Sequence, residues 1–599
     1  MGIKFFFKWL RSTYPSHIRT VRAHDRDSLP EIDHFLLDMN GIFHYACQRV
    51  FQYGAFATSS SSSFSTPTPT PPTVEDVLAR VIRYVELVVR LVQPRRTVFL
   101  AVDGVAPLSK QFQQRSRRFR SGLEVGKVFD SNAITPGTVF LHALTEGLHK
   151  WLSRKVGCRE WQHLQVLLSS EKVPGEGEHK LVKWIREFGD PNETYMIHGM
   201  DADLVMLALA THYPNMHILR ENPYRPETEF YHLSIATIRP MLINDILQSL
   251  SIHGDSIHIN DFIVMIFLTG NDFLPTIPTI ELLDGGAEYL FQWYRHTLAQ
   301  TGPLTSDAGF LRPESLAQFL SNLSQHEVAY LEGKAYKTDR FADHLLLRHI
   351  SSSPSSSSSS TVPVTPAARD EYDPESNFSI STGMDIDEKD EKKHEEYDPS
   401  TNFSLSTLNF AAYRAAYYRE KLGVNVQDEA SLKKVCVAYL EGMQWVLRYY
   451  LHGVPHWRWA YPHSYAPFLS DLAVYAKEMD RPSFVERRAC RGHDQNKPFP
   501  SLLQLVCVLP PSSHTLLPAV LHPVFQQFAG AYPERFVIDV DGKRNEWEGI
   551  VQLPLLPWRE IAKWYQTVSF AVDEEARNRL GRTFVYRKGA RPTPHGLMY

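Results

Sequence analysis

Three apolar runs that each close on an aspartate constrain this chain more than anything else in it. They are Phe35-Leu36-Leu37-Asp38, Thr97-Val98-Phe99-Leu100-Ala101-Val102-Asp103, and Thr194-Tyr195-Met196-Ile197-His198, which is followed by Gly199-Met200-Asp201. Runs of this kind, without polar alternation, suit strands buried on both faces. Helical stretches such as Val74 to Leu91 separate them, the pattern of a mostly parallel sheet in an α/β fold. Ligands bind at the carboxyl edge of such a sheet. There the three runs would gather Asp38, Asp103, Asp201 and Asp203. Aspartate is also a good helix cap, so each of the four taken alone stays open to that plainer reading.

Two more stretches add acids. Val173-Pro174-Gly175-Glu176-Gly177-Glu178-His179-Lys180 places two glutamates in a glycine-rich turn that opens a helix. Acids at a helix N-terminus are ordinary dipole partners too. Phe262 to Leu268 reads as a buried helix ended by Gly270, with Asp272 just beyond it. Seven like charges in one pocket repel one another. Two Mg²⁺ ions, which favour oxygen ligands, would relieve the repulsion, with Mn²⁺ as a substitute. Such a pair of cations serves phosphodiester cleavage.

A basic segment follows Asp103. Lys110-Gln111-Phe112-Gln113-Gln114-Arg115-Ser116-Arg117-Arg118-Phe119-Arg120 holds no glycine or proline, and as a helix it sets Lys110, Gln114, Arg117 and Arg118 on one face. Those donors suit a terminal phosphate. A solvated basic helix or a nuclear-import signal accounts for the spacing equally well.

At 599 residues the chain exceeds one ordinary core. We read an N-terminal α/β domain over 1–345 interrupted by a disordered Ser/Thr/Pro loop at 58–73, a low-complexity acidic linker over 346–407, and a second, mainly helical domain over 408–599. Between Arg369 and Asp398 stand 12 acids against 4 bases, a local −8, so the rest of the chain carries −4 − (−8) = +4. A weakly basic remainder is compatible with nucleic acid. Within the linker, Glu371-Tyr372-Asp373-Pro374 returns as Glu396-Tyr397-Asp398-Pro399. That is either a docking motif presented twice or slippage of a linker. The five cysteines lack CxxC spacing, and no apolar run reaches the length of a membrane span. The expectation is a soluble intracellular protein.

With these residues in hand, the chain resembles the XRN-type 5′→3′ exoribonucleases. The likeness runs through Met1-Gly2-Ile3, Leu37-Asp38-Met39-Asn40 with His44, Ala101-Val102-Asp103-Gly104-Val105-Ala106-Pro107 and Gln113-Gln114-Arg115-Ser116-Arg117-Arg118-Phe119-Arg120. It continues through Ile134-Thr135-Pro136-Gly137-Thr138, the Glu176/Glu178 turn, Asp201-Ala202-Asp203 and Thr269-Gly270-Asn271-Asp272-Phe273-Leu274-Pro275. In the second part it rests on Tyr439-Leu440-Glu441-Gly442 with Trp445, Gly453-Val454-Pro455-His456-Trp457-Arg458-Trp459, Tyr465-Ala466-Pro467 and Asp539 to Ile550.

The resemblance implies a PIN/FEN-like nuclease core with a central, mostly parallel twisted sheet, braced by a mainly helical second segment. It implies Mg²⁺-dependent, processive 5′→3′ degradation of single-stranded RNA with a 5′-monophosphate to mononucleotides, in RNA decay. Asp38, Asp103, Glu176, Glu178, Asp201, Asp203 and Asp272 match the family's metal-ligand positions. Lys110, Gln114, Arg117 and Arg118 match its 5′-phosphate pocket, and His44 matches a residue that stacks on the first bases. The stacking partner is one of Trp445, Trp457 and Trp459, each of which also reads as core packing. A monomer is expected, with decapping or decay factors docking through the acidic linker.

There are departures. Lys4 stands where the family usually has proline, Leu108 where a basic residue is common, and Thr276 in place of a frequent histidine. Only Ser121 to Asp130 occupies the place of a longer, charged helical tower, which bears on duplex exclusion rather than on the chemistry. With no zinc-knuckle spacing and no long C-terminal extension, the expectation is a compact cytoplasmic-type enzyme, with the nucleus as the other location. The competing functions are a structure-specific flap or DNA nuclease on the same core and a non-catalytic RNA-binding scaffold.

Overall fold

The computed structural model describes residues 2–56, 72–123, 128–248, 255–335, 341–352, 406–479 and 496–597. The three acid-terminated runs are strands: β2 (His34–Asp38), β3 (Thr97–Ala101) and β5 (Tyr195–His198) are buried at every residue. β1 (Ile18–Arg22), β4 (Gln165–Ser169), β6 (Met216–Glu221) and β7 (Glu229–Ser234) complete the strands of the first part.

The two-residue period of a strand explains why these runs are apolar throughout. Phe35 and Leu37 enter one apolar layer, closed by the helices Met39–Phe51, Val74–Val92 and Val139–Lys155. Leu36 enters the other, closed by Gly177–Phe188, Asp203–Ala210, Asp255–Phe267 and the long helix Glu429–His452. With helices on both faces there is no wet side on which polar residues could alternate.

Strands β6, β5, β2, β3 and β4 lie side by side in that order and are parallel. The chain runs outward from β2 through β3 to β4, then returns to β5 on the other side of β2. The direction of winding therefore reverses between β2 and β5, and the crevice above such a reversal is where open α/β sheets bind ligands. Asp38 ends β2, and Asp201 follows β5.

The two margins of the sheet are antiparallel. β7 and β1 extend one side. The other is extended by β12 (Phe584–Tyr586) and β13 (Thr593–Pro594), which come from the far end of the chain, with Val585 opposite Leu167. Two small antiparallel pairs stand apart from this sheet. β8 (Ile350–Ser352) pairs with β9 (Ser406–Leu408), so the linker leaves and returns at one place. β10 (Val537–Asp539) pairs with β11 (Ile550–Gln552).

One apolar core crosses from the first part into the second: Leu316 and Phe319 share a cluster with Tyr418, Trp445 and Leu472. A separate cluster joins Val105, Leu108 and Phe119 to Leu502, Leu505, Val506 and Ile561, so the basic helix is clamped along its apolar side by the C-terminal part. The serine run, the acidic near-repeat, most of the loop at 58–73 and Cys490 lie outside the described residues. Among the described residues no helix is long and apolar enough to cross a membrane.

Candidate active site

The acids collect at the predicted edge, and their immediate surroundings show what they are not doing there. Asp38 occupies the N-cap position of helix Met39–Phe51 and Glu176 that of helix Gly177–Phe188, yet neither side chain makes the capping hydrogen bond. Asp103 is held from both sides. Its carboxylate accepts from Asn40 Nδ2 at 2.9 Å and from the Gly177 N–H at 2.6 Å, while its own N–H donates to Asn40 Oδ1 at 2.9 Å.

Gly177 is there because of close approach rather than an unusual φ. A Cβ on it would lie 2.5 Å from Asp38 Oδ1 and 2.9 Å from the Ala101 carbonyl oxygen. Gly177→Ala is expected to push the Glu176–Glu178 turn off the β2 and β3 ends. Overpacking of this kind costs about 1–3 kcal/mol. A melting curve together with a hydrolysis assay checks it: a modest loss of stability with at least about a tenfold loss of rate is expected. Gly2 does need its positive φ of 79°. Its N–H donates to Asp272 Oδ1 at 3.1 Å, and a Cβ there would meet the Asp203 carboxyl at 2.5 Å.

Crowding and burial shape the electrostatics. Burial raises the pKa of Asp38 well above the carboxylate range, with Asp103, Asp201 and Asp203 adding to the shift. Glu178 is raised for the same reasons, by burial first and then by Asp203, Asp201 and Glu176. Asp203 is pushed up to about 7 by burial, Asp201 and Asp272. Asp201 goes the other way: burial opposes its charge, but surrounding cations, Lys110 and Arg220 among them, hold it below the usual range.

A carboxyl with a raised folded-state pKa binds more protons folded than unfolded, so its contribution to stability falls as pH rises through that interval. For Asp203 the interval runs from the ordinary 3.8 to about 7. In EDTA the melting temperature is therefore expected to fall between pH 5 and pH 8. Millimolar Mg²⁺ is expected to restore several degrees at pH 8 and little at pH 5; scanning calorimetry across that grid measures it. Equal slopes with and without Mg²⁺ would overturn the reading.

Several residues of the site were not visible in the sequence. Tyr449 donates to Glu176 Oε1 at 2.7 Å and stacks on His179 with ring centroids 3.7 Å apart. Tyr450 donates to Asp203 Oδ2 at 3.4 Å. Both come from helix Glu429–His452, where two tyrosines in an apolar helix read as core.

Lys110 lies on the predicted face of its helix, but its ammonium reaches the acids, bonding Asp272 Oδ2 at 2.7 Å and pairing with Glu176. Although burial disfavours its charge, Asp272 and Glu176 hold its pKa well above the usual lysine value. Gln114 and Arg118 lie together, both buried. Arg118 donates to Gln114 Oε1 at 3.1 Å and to Thr135 Oγ1 at 2.9 Å. Burial and the neighbouring Arg117 bring the Arg118 pKa down to about 9.

His44 feels the charges of both groups, Arg117 and Arg118 on the one hand and Asp201 on the other. Burial, then Arg117 and Arg118, push its imidazole down to about 3, so the ring is neutral. Trp445 and Trp459 stack on one another at 5.1 Å inside the main apolar core, Trp445 fully buried. Trp457 belongs to none of the apolar clusters, and its carbonyl accepts from the Leu108 N–H at 2.8 Å, at the start of the basic helix.

The donor set fits divalent cations. Among the described residues, Asp38 Oδ1, Glu178 Oε2 and Asp203 Oδ1 are buried without a hydrogen-bond partner. Oxygens of Glu178, Asp201 and Asp203 lie within 4.8 Å of one another. Buried carboxylate oxygens left without donors are costly, and cations bound by oxygen would satisfy them.

The model of the XRN 5′-3′ exonuclease N-terminus matches residues 1–222, and that of the Xrn1 helical domain matches residues 255–594. The chain belongs to the XRN family. Human 5′-3′ exoribonuclease 1 is 29% identical over 97% of this chain, and the Saccharomyces cerevisiae protein of the same name 28% over 98%. This XRN chain spans 35% and 44% of the length of those two relatives. Gallus gallus 5′-3′ exoribonuclease 2 is 29% identical over 97% of the chain, which spans 72% of that protein. Among solved structures, the catalytic core of Rad2 in complex with DNA matches 71% of this chain and 96% of its own at 13% identity, with a TM-score of 0.31.

Proposed function

We propose that this XRN-family chain is a Mg²⁺-dependent 5′→3′ exoribonuclease that degrades single-stranded RNA bearing a 5′-monophosphate, processively, to mononucleotides. The observation that carries it is the junction of two sites of opposite character. The acid cluster, with three oxygens unpartnered among the described residues, and the buried Arg118–Gln114 pair are near enough to one another that His44 feels both, Arg117 and Arg118 lowering its pKa and Asp201 raising it. The names of the relatives point the same way.

In this reading Asp38, Asp103, Glu176, Glu178, Asp201, Asp203 and Asp272 hold two Mg²⁺ ions, with Mn²⁺ as a substitute. When bound, such ions supply positive charge against the oxygen charge that develops at the scissile phosphate. Arg118, Gln114 and Arg117 receive the terminal phosphate, and the fork of Arg118 suits its free oxygens. Lys110 balances the acids and keeps Glu176 and Asp272 in register. The neutral ring of His44 and the indole of Trp457 stack on the first bases, which selects no sequence because every base has a π-face. A terminal phosphate seated in a closed pocket sets the cut one nucleotide from the end, and the shortened strand re-enters the same seat.

The test is one labelled RNA with either a 5′-monophosphate or a 5′-hydroxyl, with and without Mg²⁺. Release of mononucleotides from the monophosphate form with Mg²⁺ alone is the expected result. Cleavage of both ends, or of duplex junctions, would favour a flap-type nuclease instead. Tight RNA binding without degradation would favour a scaffold, a reading that the intact set of acids argues against.

A further inference from the structure

The stretch Ile134-Thr135-Pro136-Gly137-Thr138 joins the short turn Ser131–Ala133 to helix Val139–Lys155 and carries no charge. Its two threonines do different work. Thr138 serves the fold: its hydroxyl oxygen accepts from the Leu141 N–H at 3.2 Å, capping the helix, and donates to the Ala133 carbonyl oxygen at 2.6 Å. Thr135 meets the basic helix Leu108–Ser121 instead, through Arg118.

A guanidinium only donates, and a hydroxyl has a single proton. The contact of Arg118 Nη2 with Thr135 Oγ1 at 2.9 Å therefore uses the hydroxyl as an acceptor, and its proton goes to the Asn132 carbonyl oxygen at 2.7 Å. Both roles of the hydroxyl are fixed at once. A branched Cβ is stiff about χ1, and Thr135 is fully buried, so the oxygen stays aimed at Arg118.

The turn that presents this oxygen is itself held by the C-terminal part. Asn132 Nδ2 donates to Ser513 Oγ at 3.0 Å, and Arg577 Nη1 donates to the Gly137 carbonyl oxygen at 2.8 Å. Asn132, Ser513 and Arg577 are all buried. The other support of the guanidinium is Gln114 Oε1, at 3.1 Å from Nη1. Gln114 stands one turn earlier on the same helix, so it fixes the fork only relative to that helix. Thr135 fixes it relative to a separate, braced wall.

We propose that Thr135 is a positioning residue for the choice of a 5′-monophosphate end: it sets the direction in which the Arg118 fork meets the phosphate. This deepens the exoribonuclease reading and rests on Arg118 as a phosphate ligand.

The test is the ratio of kcat/KM on 5′-monophosphate and 5′-hydroxyl RNA, measured with Mg²⁺ on the full chain. Thr135→Val replaces the hydroxyl by a methyl group of nearly the same size. It is expected to lower the ratio about three- to tenfold, part of what Arg118→Ala removes. Thr135→Ser restores the hydroxyl and should bring the ratio back to within about twofold of the wild type. In an Arg118→Ala background, Thr135→Val should change the ratio less than about twofold, because a residue that acts through another adds nothing once that other is gone. Melting curves accompany each variant; should Thr135→Val fail to fold, Thr135→Ala decides by the same ratio. Rates that fall together at an unchanged ratio would assign Thr135 to the fold and overturn the proposal. So would a further fall of the ratio in the Arg118→Ala background. A wild type that prefers the monophosphate end, with a ratio indifferent to Thr135, defeats this proposal alone. A wild type without that preference defeats the phosphate pocket and this proposal with it.

Discussion

Asp201→Ala is expected to lower RNA hydrolysis by about a thousandfold or more while leaving the protein folded. The loss follows from position. Asp201 shares a 4.8 Å cluster with Glu178 and Asp203, and it is the member kept ionised by nearby cations. Removing it takes the most reliably charged ligand from the set that would hold the cations. The several kcal/mol that such charge supplies at the scissile phosphate corresponds to about that factor in rate. The fold survives because Asp38, Glu178 and Asp203 all lose a like-charged neighbour. In EDTA the variant should therefore melt no lower than the wild type, and by the sign of those shifts somewhat higher at pH 8. Single-turnover rates and melting curves on one preparation test both halves. Full activity would remove Asp201 from the metal site, and a large drop in melting temperature in EDTA would mean that it serves the fold instead.

Much of this site was legible in the sequence because strand ends are local features. An apolar run that stops at an acid marks both a buried strand and its edge, and three of them locate Asp38, Asp103 and Asp201 before any tertiary contact is known. The turn at Glu176 and Glu178 and the glycine before Asp272 are local in the same way.

The residues that the sequence did not reveal act over long separations. Tyr449 and Tyr450 stand on an apolar helix that earns no polar signal, yet their hydroxyls end on Glu176 and Asp203. The strand Phe584–Tyr586 is three residues long and flanked by charge, so nothing in its pattern shows that it extends the sheet beside β4. Helical spacing placed Lys110 correctly on a face but could not say how far its flexible stem would reach, and it reaches the acids. Of the three tryptophans, spacing made no choice; Trp445 and Trp459 stack on one another in the main core, whereas Trp457 stands outside the apolar clusters, its carbonyl on the Leu108 N–H.

Arg118→Ala is expected to reduce the preference for 5′-monophosphate over 5′-hydroxyl RNA by about ten- to a hundredfold, with little change on the hydroxyl end. The guanidinium is buried, donates to the neutral oxygens of Gln114 and Thr135, and is set beside Arg117, with Asp103 and Asp130 offsetting part of that repulsion. That arrangement is poorly compensated without an anion: its pKa falls to about 9, from burial first and then from Arg117. In the proposed function a dianionic phosphate is the partner, and a charge-assisted hydrogen bond of this kind is worth about 1.5–3 kcal/mol, which sets the expected factor. Arg118→Lys divides the effect. It keeps a charge but loses the fork that spans Gln114 and Thr135, so it should recover part of the discrimination and not all of it. The ratio of kcat/KM on the two RNA ends is the quantity to measure, because damage to packing lowers both rates together and leaves the ratio alone. An unchanged ratio in Arg118→Ala would discard the pocket and leave the metal site standing.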